Sequence, residues 1–170
     1  MPYKLNRPAA DFDSGNGVLC LEHFQMAYVT TDIERAGRLF RERLGIREFT
    51  RLEGETPDGG FIKADFAWVG SIMYELIEPQ GPGSEIFSDR LPRTEEFVLK
   101  HHHLGYLVQS QAQWDALLAN AENNQLRIAS HSSNPLVEVC FVEVPGLEHY
   151  LEYLFASELG MNFFDSVART

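Results

Sequence analysis

Apolar and polar positions along the chain change period several times, and each change marks an element. Residues 23–30 alternate in the manner of a half-buried strand. Thr31-Asp-Ile-Glu34 then has the form of a capping box, with Thr31 accepting from the backbone and Glu34 reaching back. Ile33, Ala36, Phe40 and Leu44 follow at helical spacing, and Gly45 is placed to stop the helix. Three strand-like runs come next, at 46–52, 61–69 and 72–77, with Glu55-Thr-Pro-Asp-Gly-Gly60 as the clearest turn between them. A connector opening with Pro79-Gln-Gly-Pro-Gly83 leads to about residue 100.

After the connector the order repeats. Residues 101–108 read as a strand, and Ser110-Gln-Ala-Gln113 as a second capping box. Trp114, Leu117, Leu118 and Ala121 form a helical stripe that ends at Asn123-Asn124. Runs at 126–130, 136–144 and 149–155 are strand-like. The organisation expected is an irregular lead-in over 1–20, a βαβββ module over 21–78, a linker over 79–100, a second βαβββ module over 101–156 and a tail over 157–170. One helix cannot cover both faces of a four-stranded sheet. Two such modules side by side give an α+β fold, a curved eight-stranded mixed sheet around a central cleft. The tail holds Met161, Phe163 and Phe164, which are set to pack on the domain or on a second subunit as a homodimer.

The repeat brings chemistry with it. Gln25 opens Gln-Met-Ala-Tyr-Val-Thr-Thr-Asp32, and His103 opens His-Leu-Gly-Tyr-Leu-Val-Gln-Ser110. Glu75 lies in Met73-Tyr-Glu-Leu-Ile77, and Glu152 in Tyr150-Leu-Glu-Tyr-Leu154. His103 lies 78 residues after Gln25, and Glu152 lies 77 after Glu75. A polar residue and a carboxylate from each module would build one four-ligand site: Gln25, Glu75, His103 and Glu152. One imidazole, one amide oxygen and two carboxylates suit a borderline or hard divalent ion such as Zn, Ni, Co, Mn or Fe. A carboxylate on a metal can also take a proton, which makes Glu75 and Glu152 candidate bases. Strand alternation puts His101 and His103 on one face and His102 on the other. His23 shares a strand face with Gln25 and is its rival, and His149 reads as a strand surface residue. Each of the four, taken singly, has an ordinary reading as strand polarity. Their common repeat offset is what joins them.

Composition narrows the setting. The net charge of −11 opposes general binding to nucleic acid or an anionic membrane. No apolar run reaches the ~18 residues a transmembrane helix needs, and the N-terminus carries no apolar secretory segment. Cys20 and Cys140 do not form a disulfide framework, so a reducing cytoplasm is the expected location. Six of the eleven arginines (Arg35, Arg38, Arg41, Arg43, Arg47 and Arg51) fall within 17 residues. They read either as a solvated helix face or as a patch for an anionic substrate group.

Over residues 23–155 the chain resembles the vicinal oxygen chelate superfamily, which includes glyoxalase I, methylmalonyl-CoA epimerase, extradiol dioxygenases and bleomycin resistance proteins. That resemblance implies paired βαβββ modules around a divalent metal. The ligands there are His or Gln on the first strand and Glu or Gln on the fourth strand of each module. The spacings Gln25 to Asp32 and His103 to Ser110 match the family's interval between ligand and helix start. The Gln25, Glu75, His103, Glu152 set is similar to that of eukaryotic-type glyoxalase I. The segment from Glu75 to Ser84, leading to His102-His103, resembles the epimerase branch. Phe97-Val-Leu-Lys100 replaces that branch's glycine-containing segment, and Gln25 replaces its first histidine.

The resemblance implies a metal-dependent lyase or isomerase acting through an enediolate on a small oxygenated substrate. Glu152 would move the proton, with Glu75 as the opposing base in an epimerisation. Two other functions stay open: a non-catalytic small-molecule-binding module of the bleomycin-resistance kind, and an extradiol-type dioxygenase, which would call on His23 or His101.

Overall fold

The structure, a computed structural model, describes residues 5–7, 10 and 12–170; part of the expected lead-in therefore lies outside the described residues. The element order is β1 (Glu22–Thr30), α1 (Ile33–Leu44), β2 (Thr50–Glu55), β3 (Phe61–Val69), β4 (Ile72–Gln80), α2 (Glu85–Ser88), β5 (Leu99–Val108), α3 (Gln111–Asn123), β6 (Arg127–Ser133), β7 (Val137–Glu143), β8 (Tyr150–Ala156) and α4 (Glu158–Ser166). The eight strands form one mixed sheet in the order β2-β3-β4-β1-β5-β8-β7-β6. The two βαβββ modules meet where β1 pairs antiparallel with β5. Within each module the first and fourth strands are parallel neighbours.

Alternation along these strands divides the core in two. On the outer face, Ile33, Ala36 and Phe40 of α1 pack on Ala67 and Leu76. Trp114 and Leu117 of α3 pack there on Tyr106, Val108, Cys140, Val142, Leu151 and Tyr153. The inner face takes the other residues of the same strands. There Phe164 and Val167, in and just after α4, cover Phe24, Met73 and Leu154. Phe87 of α2 and Leu91 beside it cover Ala27, Val29 and Ile77. The inner face is thus roofed at one end by the tail and at the other by the linker. Burial of a large apolar side chain contributes about 1.5–3 kcal/mol, so both roofs are part of the core.

Local chemistry departs from expectation at several places. Asp32, not Thr31, caps α1: its carboxylate accepts from Arg35 N at 2.9 Å. Thr31 instead ties the linker, donating to Glu96 O and accepting from Val98 N. Glu34 does not reach back but pairs with Arg51 at 2.6 Å. A second carboxylate, Glu78 at the end of β4, accepts from Ile33 N at 2.8 Å and so satisfies a first-turn donor that no helical partner can reach. Gly45 ends α1 at φ 81°, as expected. Ser110 caps α3, with Gln113 accepting from Gln109 N, one residue earlier than a capping box requires. The strand expected from residue 46 begins only at Thr50.

The tail forms a helix capped by Ser157 and packs back on its own chain. Trp68 Nε1 donates to Phe164 O at 2.9 Å, and Trp68 N donates to Ala168 O. Cys20 and Cys140 are free thiols. Among the described residues, no helix is long and apolar enough to cross a membrane.

Candidate metal centre

Gln25, Glu75, His103 and Glu152 converge on the inner face, all buried. Their placement follows from strand register. Ala27 lies opposite both Glu75 on β4 and His103 on β5. Gly105 lies opposite both Gln25 on β1 and Glu152 on β8. The four side chains therefore stand at the corners of two adjacent rows, with the small residues Ala27 and Gly105 between them. Larger residues there would fill the space the corner groups share. A Cβ on Gly105 would lie 2.5 Å from Gln25 Oε1 and 2.7 Å from Gln25 Cβ.

The contacts are those of a centre with donor atoms left over. Gln25 Nε2 donates to Glu75 Oε2 at 2.9 Å, and its Oε1 lies over Gly105. His103 Nε2 is 3.0 Å from Glu152 Oε2 and 3.4 Å from Glu75 Oε2. These distances give strong attraction without hydrogen-bond alignment. Gln25 Oε1, His103 Nε2 and Glu152 Oε2 are buried with no hydrogen-bond partner. Unsatisfied buried polar atoms are costly, and three of them belong to this one set of four side chains. Glu75, His103 and Glu152 each offer a ligand atom within 4.8 Å of the others. One nitrogen and three oxygen donors fit a hard or borderline divalent cation.

Electrostatics agree with that fit. Burial pushes the Glu75 carboxyl up, as does Glu152, against the pull of His103. Burial opposes charge on His103, yet Glu152 and Glu75 outweigh it and raise the imidazole to about 9. A cation can take the place of that proton, because metal binding and ligand protonation compete for the same lone pair.

A one-residue irregularity precedes each first-strand corner. The pairing of β1 with β5 passes over Phe24 just before Gln25, and over His102 just before His103. Such bulges turn two consecutive side chains to one side. They overturn the expectation from strict alternation that His102 faces away from His103: their Nδ1 atoms are 2.7 Å apart. His23 and His101 span the two irregularities in the same way. Each ring places Nε2 against the carbonyl two residues ahead, His23 on Gln25 O at 3.0 Å and His101 on His103 O at 3.1 Å. Neither ring joins the centre. The His149 ring lies tilted against His101, with centroids 4.8 Å apart.

A cavity of about 250 Å³ has a wall that includes Ile86, Tyr150 and Arg127, together with Glu85 and Asp89, and none of the four ligand candidates; Ile86 and Tyr150 are linked to the centre through His102. Arg90 stacks on Tyr150, 4.0 Å from its ring centre, and both Arg90 and Arg127 pair with Glu143. The arginine cluster on and after α1 lies on the outer side, and three of its members are engaged there. Arg51 binds Asp65 through two hydrogen bonds and also contacts Glu34. Arg35 and Arg41 lie over Phe97 and Phe49.

The small residues Ala27 and Gly105 went unnoticed in the sequence, although each stands two positions after its ligand candidate. Strict alternation puts His102 on the wrong face, because bulges leave no mark in an alternating pattern.

The sequence profile of the family described as Glyoxalase/Bleomycin resistance protein/Dioxygenase superfamily matches residues 24–141. No curated protein matches the sequence. Several solved structures share the fold. Methylmalonyl-CoA epimerase from Mycobacterium tuberculosis superposes with a TM-score of 0.58 at 12% identity, covering 80% of this chain and 88% of that one. A Streptomyces coelicolor methylmalonyl-CoA epimerase variant in complex with 2-nitronate-propionyl-CoA gives 0.58 at 14%, covering 81% and 99%. A hypothetical protein from Bacillus halodurans gives 0.56 at 16%, covering 81% and 95%.

Proposed function

Because the chain belongs to the Glyoxalase/Bleomycin resistance protein/Dioxygenase superfamily, we propose that it is a divalent-metal-dependent lyase or isomerase of the glyoxalase or epimerase type. Its substrate would be a small molecule with neighbouring oxygens and an acidic carbon-bound proton. The observation that carries this reading is the buried set Glu75, His103 and Glu152, whose ligand atoms lie within 4.8 Å of one another, with Gln25 Oε1, His103 Nε2 and Glu152 Oε2 left without hydrogen-bond partners.

Gln25, Glu75, His103 and Glu152 would hold the ion, two from each module. When bound, the metal supplies Lewis-acid polarisation of substrate oxygens and disperses the negative charge that grows as a C–H bond breaks. The remaining chemistry belongs to the chain. Glu152 accepts the carbon-bound proton and returns it to a neighbouring atom. Glu75 receives or delivers a proton from the opposite module when the reaction inverts a centre. Their carboxylates come from β4 and β8, the strands on either side of the central pair β1 and β5, so a substrate lying across that pair meets one base from each module. The acyl-CoA ligand bound by the S. coelicolor neighbour makes CoA thioesters one class to try, and glutathione hemithioacetals the other.

The test is turnover of both substrate classes by wild type and Glu152→Gln. Wild type turns over one of them, and the variant keeps its thermal transition but loses at least about 100-fold in kcat, the usual scale for a general base. A fully active Glu152→Gln would end the assignment of the base.

A further inference from the structure

We infer that His102 is a positioning residue, whose ring fixes the proton of His103 on Nδ1 and thereby presents Nε2 to the metal centre. The inference rests on the metal-centre reading above. It concerns a side chain whose hydrogen-bond partners are His103 and the Ile86 carbonyl.

The argument runs through three atoms. His102 Nε2 lies 2.9 Å from the carbonyl oxygen of Ile86, at the start of α2. A carbonyl only accepts, so His102 carries its proton on Nε2. A neutral imidazole has one donor nitrogen and one acceptor nitrogen, so Nδ1 of His102 is the acceptor. That atom is 2.7 Å from Nδ1 of His103. Two acceptors cannot face each other at this distance, so Nδ1 of His103 donates. When a cation takes the place of the Nε2 proton, the in-plane lone pair of His103 is on Nε2, the atom that faces Glu152 and Glu75. The Ile86 carbonyl thus sets one ring, and that ring sets the next. Outer partners of this kind orient a ligating histidine and raise its basicity.

Packing holds the relay in place. His102 is fully buried, with its ring 5.2 Å from Phe87, 5.2 Å from Tyr150 and 5.9 Å from Phe141. The irregularity in β5 turns it to the same side as His103. The repeat supplies an internal comparison. Phe24 occupies the equivalent irregular position in the first module and packs on Trp68 and Phe164. The ligand candidate that follows it is Gln25, an amide with no tautomer to select, and Glu75 orients it directly. A hydrogen-bonding ring stands only at the module whose ligand candidate is an imidazole.

The test compares His102→Phe with His102→Asn by competitive zinc titration and records ring-nitrogen shifts of the 15N-labelled wild type with and without zinc. Phenylalanine keeps a ring in the aromatic pocket but offers no acceptor. Asparagine places Oδ1 close to the position of Nδ1. The expected result is a loss of zinc affinity of about 10–100-fold in His102→Phe, the scale of outer-partner substitutions, and a substantially smaller loss in His102→Asn. In wild type, His102 is protonated on Nε2 only, and His103 carries a proton on Nδ1. Equal affinity of His102→Phe and wild type, equal losses in the two variants, or a proton on His102 Nδ1 would overturn the inference. Should wild type bind no zinc, the metal-centre reading falls separately, and the ring protons of the metal-free protein decide the order of the relay by themselves.

Discussion

Gly105 lies directly beneath the Gln25 amide: a Cβ added to it would sit 2.5 Å from Oε1. A contact that short cannot persist. Gly105→Ala must therefore displace the Gln25 side chain, whose own Cβ is only 2.7 Å away. The expected outcome is a stability loss of about 1–3 kcal/mol, typical of overpacking, and weaker metal binding. Chemical denaturation and metal titration of the variant check both. Wild-type affinity in Gly105→Ala would mean that Gln25 is no ligand.

Glu78 gives a pH-dependent prediction. Burial pushes its carboxyl up, but Ile33 N–H, Lys63 and Gln80 outweigh this and hold it below the ordinary value of 4.5. A lowered native value means that the stabilisation is complete above the unfolded value and fades as pH falls through the native one. Glu78→Gln should thus cost about 1–2 kcal/mol near neutrality, the scale of a lost helix cap. The gap from wild type should narrow below about pH 4.5. Urea unfolding of both proteins at several pH values measures it, and a gap that widens on acidification contradicts the account.

The two thiols should differ in reactivity. Burial, reinforced by Glu152 and Glu138, pushes Cys140 up to about 12, whereas Cys20 is half-buried. Only the thiolate reacts. A disulfide reagent at pH 8 should label Cys20 promptly and Cys140 only as fast as the protein unfolds. Mass spectrometry of the labelled peptides reads the order, and equal rates would show that the outer core near β8 opens readily.

Much of this architecture was legible in the chain because period is a strong signal. The strand–helix–strand order of both modules and the shared offset of Gln25, Glu75, His103 and Glu152 lay open to view. What escaped follows from physics that a pattern does not record. Asp32 rather than Thr31 caps α1 because Thr31 is held by the linker residues Glu96 and Val98, 65 and 67 positions on. The helix α4 rests on Phe24, Phe66 and Trp68, distant residues that its own sequence cannot announce. His102 turned toward His103 through a one-residue irregularity, and strict alternation forbids that arrangement.

The central claim is that side chains of both modules hold one divalent ion. Elemental analysis after dialysis against zinc, without an affinity tag, tests it most directly, on wild type, Gln25→Ala and His103→Ala. The account predicts about one equivalent per chain in wild type, one ion for one four-donor set, and loss of most of it in either variant, since one module or the other would then lack a ligand. No zinc in wild type, or a full equivalent retained in His103→Ala, would contradict it.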